Sequence, residues 1–141
     1  MSLYPLIKIL LVTAALIVLL GGLWFWYIFI SSHGHSMPEQ LPGMEDEPPH
    51  AVFVYGSLTR PSVRWLILGH TGDPEPATLP GHRREGLNLE TESDAYTEGL
   101  VLHVSSEELR RLDRYERLGI RYDRVRIRLK SGQEAWTYIR L

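Results

Sequence analysis

Residues 105–141 read SSEELRRLDRYERLGIRYDRVRIRLKSGQEAWTYIRL, and this stretch decides the fold. Ser105 followed three residues later by Glu108 is a capping box, which satisfies the free N–H groups at a helix start. The helix it opens carries leucines at 109 and 112 and is expected to end near Gly119. From Tyr122 to Lys130 the period changes from 3.6 to 2. Val125, Ile127 and Leu129 fall on one face, and Arg124, Arg126, Arg128 and Lys130 on the other. Ser131-Gly132 turns the chain, and Ala135 to Leu141 returns as a final strand. A capped helix followed by a hairpin predicts an α+β domain with mostly antiparallel strands.

Working back toward the N-terminus, Ala51 to Tyr55 is a short run of strand formers stopped by Gly56. A short continuous apolar strand is usually buried on both faces. Pro61 precedes one or two helical turns over Ser62 to Leu68, a favoured place for proline. Gly72 to Pro76 reads as a loop, and Gly81 to Glu90 and Glu98 to Val104 as strands. The domain is expected to cover 51–141. It holds 14 Lys/Arg against 13 Asp/Glu, a near-neutral balance.

The rest of the chain is of another character. Residues 9–30, ILLVTAALIVLLGGLWFWYIFI, carry no charge. About 20 apolar residues in a helix span a hydrocarbon core of about 30 Å. The run exceeds the apolar core of a signal peptide and is not followed by a clear small-x-small cleavage site. We therefore expect a single-pass transmembrane helix over 9–30 after a flank at 1–8, in contact with the lipid bilayer. Trp24, Trp26 and Tyr27 suit its interfacial belt. Lys8 precedes the span and no basic residue follows until Arg60. Positive-inside then puts the N-terminus in the cytoplasm and the domain outside, in the periplasm if the cell is bacterial. Residues 31–50, with Pro38, Pro42, Pro48 and Pro49, read as a flexible linker. His33 and His35 within it read as solvated rather than as metal ligands.

The chain as a whole has 15 Lys+Arg, 17 Asp+Glu and no cysteine in 141 residues. A formal charge of −2 speaks against nucleic-acid binding, which favours a strongly basic domain. Without cysteine there is no disulfide framework, thiolate metal site or cysteine nucleophile. No Gly-x-Ser-x-Gly is present, and His70, His82 and His103 follow no triad order, so serine-hydrolase chemistry is not expected.

Two features point to chemistry. On the helix wheel Glu116 falls between Leu109 and Leu112, on the face that meets the sheet, while Arg110, Arg111, Arg114 and Arg117 take the opposite side. A desolvated carboxylate has a raised pKa and accepts protons near neutrality. The competing reading is a structural pair with Arg124 or a tyrosine. The second feature is Tyr55-Gly56-Ser57-Leu58, where a strand ends at a glycine. Backbone N–H groups in such a turn can hold a carboxylate or an oxyanion.

Val52-Phe53-Val54-Tyr55-Gly56-Ser57-Leu58 resembles the opening of the γ-glutamylcyclotransferase superfamily, in its AIG2-like and γ-glutamylamine cyclotransferase branch. Leu112-Asp113-Arg114-Tyr115-Glu116 resembles the family's Leu-Asp-x-aromatic-Glu. Glu98-Gly99, Tyr122-x-Arg124 and Ala135-Trp136-Thr137-Tyr138 follow in order, so the resemblance covers 52–141. It implies a small mixed β-barrel with flanking helices. It also implies Glu116 as catalytic acid/base, with the loop of Tyr55, Gly56, Ser57 and Leu58 lining the pocket for the γ-glutamyl group. Tyr55, Tyr122 and Tyr138 are candidate walls of that pocket, core packing being the alternative. The implied reaction closes a γ-glutamyl group to 5-oxoproline and releases an amine or amino acid, with no metal or cofactor. Two alternatives remain on the sequence: a non-catalytic ligand-binding module on the same fold, and an interaction module using the basic face of Arg124, Arg126, Arg128 and Lys130 against anionic headgroups or a protein.

Overall fold

The computed structural model describes residues 3–29 and 38–141; His33, His35 and the first part of the expected linker lie outside the described residues. The chain divides into two compact units, 1–36 and 37–141.

In the first unit, Tyr4–Phe29 forms one helix, α1. Lys8 lies within it rather than in a separate flank. Residues Tyr4–Tyr27 have a mean hydropathy of 2.6, long and apolar enough to cross a membrane.

The second unit is a curled sheet of five strands with two helices. The strands are β1 (His50–Val54), β2 (Glu75–Glu85), β3 (Asn88–Val104), β4 (Tyr122–Arg128) and β5 (Glu134–Arg140). The helices are α2 (Pro61–Leu68) and α3 (Ser106–Glu116). The sheet order is β2-β3-β1-β5-β4, with β1 antiparallel to β3 and parallel to β5. The two edges approach one another, and Lys130 N–H donates to the Thr78 carbonyl across the gap at 2.9 Å. The result is a half-barrel.

β1 lies at the centre, and its continuous apolar run is buried on both faces. Phe53 and Tyr55 point into the barrel with Leu79, Leu89, Val101, Leu129 and Ala135. Val52 and Val54 are equally buried and by strand alternation face the opposite side. α3 contributes Leu109 and Leu112, both fully buried, each stabilising by roughly 1.5–3 kcal/mol. Its capping box forms as expected: Ser105 Oγ accepts from Glu108 N–H, and the Glu108 carboxylate accepts from Ser105 N–H.

Three boundaries move. α3 stops at Glu116 rather than near Gly119, because Arg117 takes the left-handed conformation at φ 55°. Gly72 to Pro74 are loop as expected, but the strand expected from Gly81 begins at Glu75, taking in Glu75 and Pro76, and ends at Glu85, with residues 88–90 passing to the next strand. Pro76 and Pro80 are tolerated because β2 is a sheet edge, and the chain reverses at Gly86-Leu87. β3 accordingly begins at Asn88, ten residues before the expected Glu98. Finally, residues 41–47 pack on the domain instead of forming open linker. A Cβ at Gly43 would overlap the Trp136 ring, and Asp46 pairs with Arg126 at 2.6 Å.

The basic face of β4 also needs correction. Arg124, Arg126 and Arg128 do share a face, but α3 and residues 41–47 cover part of it. Arg124 is 2% exposed and paired with Asp113. Arg126 pairs with Asp46 and Arg128 with Glu134. The expected row of free cations is broken at its first member and compensated at the next two. Arg124 does not pair with Glu116, as the structural reading of that glutamate supposed.

Candidate functional site

Four elements converge at one end of the half-barrel: the loop after β1, the last turn of α3, the start of β4 and the β2–β3 turn. Tyr55 is the residue at which β1 gives way to the loop. Its hydroxyl donates to the Tyr138 carbonyl at 2.6 Å. The Tyr122 hydroxyl, from the first residue of β4, donates to the Leu87 carbonyl at 3.1 Å. Both phenols spend their one proton on a main-chain carbonyl. What they present outward is therefore acceptor lone pairs, which suit an ammonium.

After Tyr55 the chain makes a short 3₁₀ turn, Ser57–Thr59. Thr59 N–H donates to the Gly56 carbonyl and Arg60 N–H to the Ser57 carbonyl. The N–H groups of Ser57 and Leu58, at the head of this turn, hydrogen-bond to no other described residue. Gly56 itself has φ −111°, open to any residue, and an added Cβ would only touch Leu87 at 3.6 Å. The side chain of Leu58 enters the core at 2% exposed, so only its backbone is available at the loop surface. Ser57 Oγ bonds the Tyr115 hydroxyl at 2.9 Å, tying the loop to α3.

Two further residues hold this loop; Arg64 escaped the sequence reading, and Gly99 was read only as part of a motif. Arg64, on α2, is buried and donates from Nη1 to the carbonyls of Leu58 and Thr59 at 3.0 and 2.7 Å, and from Nε to Thr71. Its targets are backbone carbonyls, which leave no trace in side-chain pattern. Gly99, on β3, carries no side chain because a Cβ would overlap the Val54 carbonyl oxygen. That close approach sets where β1 ends and the loop begins. The pairing of Glu98-Gly99 with the opening motif was a signal for it.

Glu116 is at the end of α3, half-buried. Burial raises its pKa from 4.5 to about 7, opposed only by the Arg121 guanidinium. No described residue hydrogen-bonds or ion-pairs with its carboxylate. Its charge reaches Tyr55, Tyr122 and Tyr138, whose phenols burial raises further still. They stay protonated at any working pH. The candidates Glu116, Tyr55, Gly56, Ser57 and Tyr122 are thus brought to one place, with Tyr138 beneath them.

One turn before Glu116, Asp113 is fully buried. Arg124 Nε lies 2.9 Å from Oδ1 and Nη2 donates to Oδ2 at 3.1 Å. The Tyr138 hydroxyl donates to Oδ1 at 2.6 Å. Among the described residues, no group of three or more His, Asp or Glu is placed to hold a metal ion.

Comparison with known proteins adds a lineage to this geometry. A sequence profile described as "Gamma-glutamyl cyclotransferase, AIG2-like" matches residues 52–141. Protein AIG2 C of Arabidopsis thaliana is 35% identical over 89 residues, 58% of this chain and 53% of its own. AIG2-like protein A of the same plant is 35% identical over 85 residues, covering 55% of this chain and 50% of its own. The chain thus spans about half the length of the curated relatives it matches. A solution structure of a protein of Arabidopsis thaliana superposes with a TM-score of 0.58 at 30% identity, covering 70% of this chain and 72% of that one.

Proposed function

The chain belongs to the AIG2-like γ-glutamyl cyclotransferase family, and on that premise we propose that it closes a γ-glutamyl group to 5-oxoproline with Glu116 as the acid/base. The observation that carries the proposal is the state of Glu116: desolvated, with a pKa of about 7, and beside the loop whose Ser57 and Leu58 N–H groups bond to no other described residue. A base with a pKa near the working pH is best matched to proton transfer.

The steps balance without any group beyond substrate and carboxylate. Glu116 takes a proton from the substrate α-ammonium, for which the lone pairs of Tyr55 and Tyr122 are acceptors. The freed amine attacks the γ-carbonyl carbon within the same molecule. The new oxyanion is held by the N–H groups of Ser57 and Leu58. The bond to the leaving nitrogen breaks as Glu116 returns the proton to it, and the second proton still on the ring nitrogen passes through the same carboxylate to the departing amine, which leaves as an ammonium. The products are 5-oxoproline and an amine or amino acid. Folding the substrate so that its two ends meet supplies much of the rate by proximity.

The test is 5-oxoproline release by the full-length chain in detergent micelles. The substrates are γ-glutamyl dipeptides, γ-glutamylamines and glutathione, with Glu116→Gln beside the wild type. Release by wild type and its loss in the variant is the expected result. Equal rates in both would overturn the assignment. Saturable binding of these compounds without release would instead support a ligand-binding module.

We further propose that α1 is an uncleaved anchor that holds the domain on the outer side of its membrane. Its length and apolarity support an anchor, and Lys8 supports the orientation. Protease digestion of intact spheroplasts is expected to remove the domain; its survival would reverse the orientation.

A further inference from the structure

We propose that Asp113 is the positioning residue of this site, fixing the rotation of α3 and so the place of Glu116; the inference rests on the reading of Glu116 as the base. α3 is tied at its first residue by Ser106 Oγ to His50 Nε2 and in its last turn by the Tyr115 hydroxyl to Ser57 Oγ, both at 2.9 Å; on the buried face between them the packing is apolar except at Asp113. Leu109 and Leu112 hold the helix on the sheet, but apolar contact is non-directional and leaves rotation and axial slide loosely set. Asp113 supplies direction. Its Oδ1 meets the Tyr138 hydroxyl and Arg124 Nε, and its Oδ2 meets Arg124 Nη2. Two oxygens on two strands define both the angle and the height of the helix.

The register shows how this reaches the site. Arg124 and Tyr138 are cross-strand partners, and Tyr122 and Arg140 are the next pair but one on the same face. Asp113 sits over the first pair, and Glu116, three residues on, works against Tyr122 at the second. Three residues along a helix are about 4.5 Å, so any movement at Asp113 passes to Glu116. A misplacement of about 1 Å at a reacting group can cost on the order of 10²-fold in rate.

Tyr138 extends the link to the other half of the site. Its side chain holds Asp113, and its carbonyl takes the Tyr55 hydroxyl at 2.6 Å. Asp113, Tyr138 and Tyr55 therefore bridge the base-bearing helix to the substrate loop. Buried ion pairs contribute little net stability over apolar residues of similar volume. Directionality is what an Asp113–Arg124 pair adds that two apolar side chains could not.

The experiment uses the full-length chain in detergent micelles, with two variants. Tyr138→Phe removes one hydroxyl from the bridge. Asp113→Asn combined with Arg124→Met removes both charges, so that no lone charge is left buried. The Glu116 carboxyl is titrated by carbon NMR in each. The groups that face it are Tyr55, Tyr122, Tyr138 and Arg121, with Tyr115 on its own helix; only Arg121 is charged, and neither variant alters it. In both variants the Glu116 pKa is expected to fall from about 7 toward 4.5 as the carboxyl swings into water. 5-Oxoproline release is expected to lose at least tenfold in kcat with KM nearly unchanged.

A purely structural pair would lower melting temperature and leave the titration where it was. Folded variants with the wild-type titration and wild-type kcat would overturn the proposal. The titration is independent of turnover. If the wild type releases no 5-oxoproline, the reading of Glu116 as base fails, while a shifted titration still upholds the positioning role. If Glu116→Gln alone is inactive and both variants are fully active, the base stands and the positioning role falls.

Discussion

Asp113 and Glu116 stand three residues apart on one helix, both turned toward the sheet, and they meet opposite environments. Asp113 is fully buried, and burial pushes its carboxyl up; the Tyr138 hydroxyl and the Arg124 guanidinium pull it only part of the way back. Glu116 is less buried but has no close partner, and only Arg121 opposes its desolvation. The lesson is that burial alone does not make a base. Matched burial makes a structural joint; unmatched burial leaves a carboxylate whose energy falls when a proton or an ammonium arrives.

The comparison breaks most visibly if Glu116 loses its charge. Glu116→Gln keeps the shape and removes the proton acceptor. 5-Oxoproline release is expected to fall by about 10²–10⁴, the usual worth of general acid–base catalysis. A steady-state assay on γ-glutamyl substrates checks this, and a loss under twofold would remove Glu116 from the chemistry. The matching change on the other carboxylate should act on stability. Asp113→Asn alone strands Arg124 in the core, and we expect a loss of about 3–5 kcal/mol in urea unfolding. Adding Arg124→Met is expected to recover most of it. If the double variant is no better than the single, the two residues do not act as a pair.

How much of this was legible beforehand differs between the same two residues. The leucines at 109 and 112 define a face, and the wheel marks Glu116 on it. Asp113 falls on that face as well, yet nothing in the helix separates the two. The separation comes from Arg124. Alternation along β4 places Arg124 on a face correctly but says nothing of what covers that face. α3 covers it, and that is a tertiary fact. The loop after β1 was legible as Tyr-Gly-Ser-Leu, whereas its clamp, Arg64, binds main-chain carbonyls and carries no local pattern. β2 was legible only from Gly81 on, because Pro76 reads as a loop residue until the strand is known to be an edge. α1, by contrast, needs only composition, since a long apolar run admits few structures.

Stability against pH sharpens the comparison next. The Glu116 pKa is 4.5 when exposed and about 7 in the fold. Between these values the folded chain holds more protons than the unfolded one, so stability falls as pH rises through the window. The loss is on the order of 3 kcal/mol at pH 8 relative to pH 4. Glu116→Gln removes that term. The variant is expected to lose this fall between pH 4.5 and 7 and to be the more stable protein at pH 8. Urea midpoints at several pH values read this directly. Parallel curves for variant and wild type would mean that Glu116 is solvated after all.

The smallest effect concerns the one cation that opposes Glu116. Arg121 lies in the turn between α3 and β4, exposed to water, and lowers the Glu116 pKa. An exposed charge acts through screened solvent and is worth well under 1 kcal/mol. Arg121→Met is therefore expected to raise the Glu116 pKa by only a few tenths of a unit. The acidic limb of kcat/KM, where activity requires the carboxylate, should move up by the same amount. At pH 8 the rate should hardly change; at pH 6 it should fall by about twofold. Salt offers the same test without a mutation. Raising ionic strength to about 1 M contracts the screening length to about 3 Å, so the wild-type limb should move toward that of Arg121→Met and the variant's limb should stay. A wild-type limb that ignores salt while the variant's limb is displaced would mean that Arg121 acts by contact rather than by charge. It would then belong with Asp113, among the groups that place Glu116, rather than with the field that tunes it.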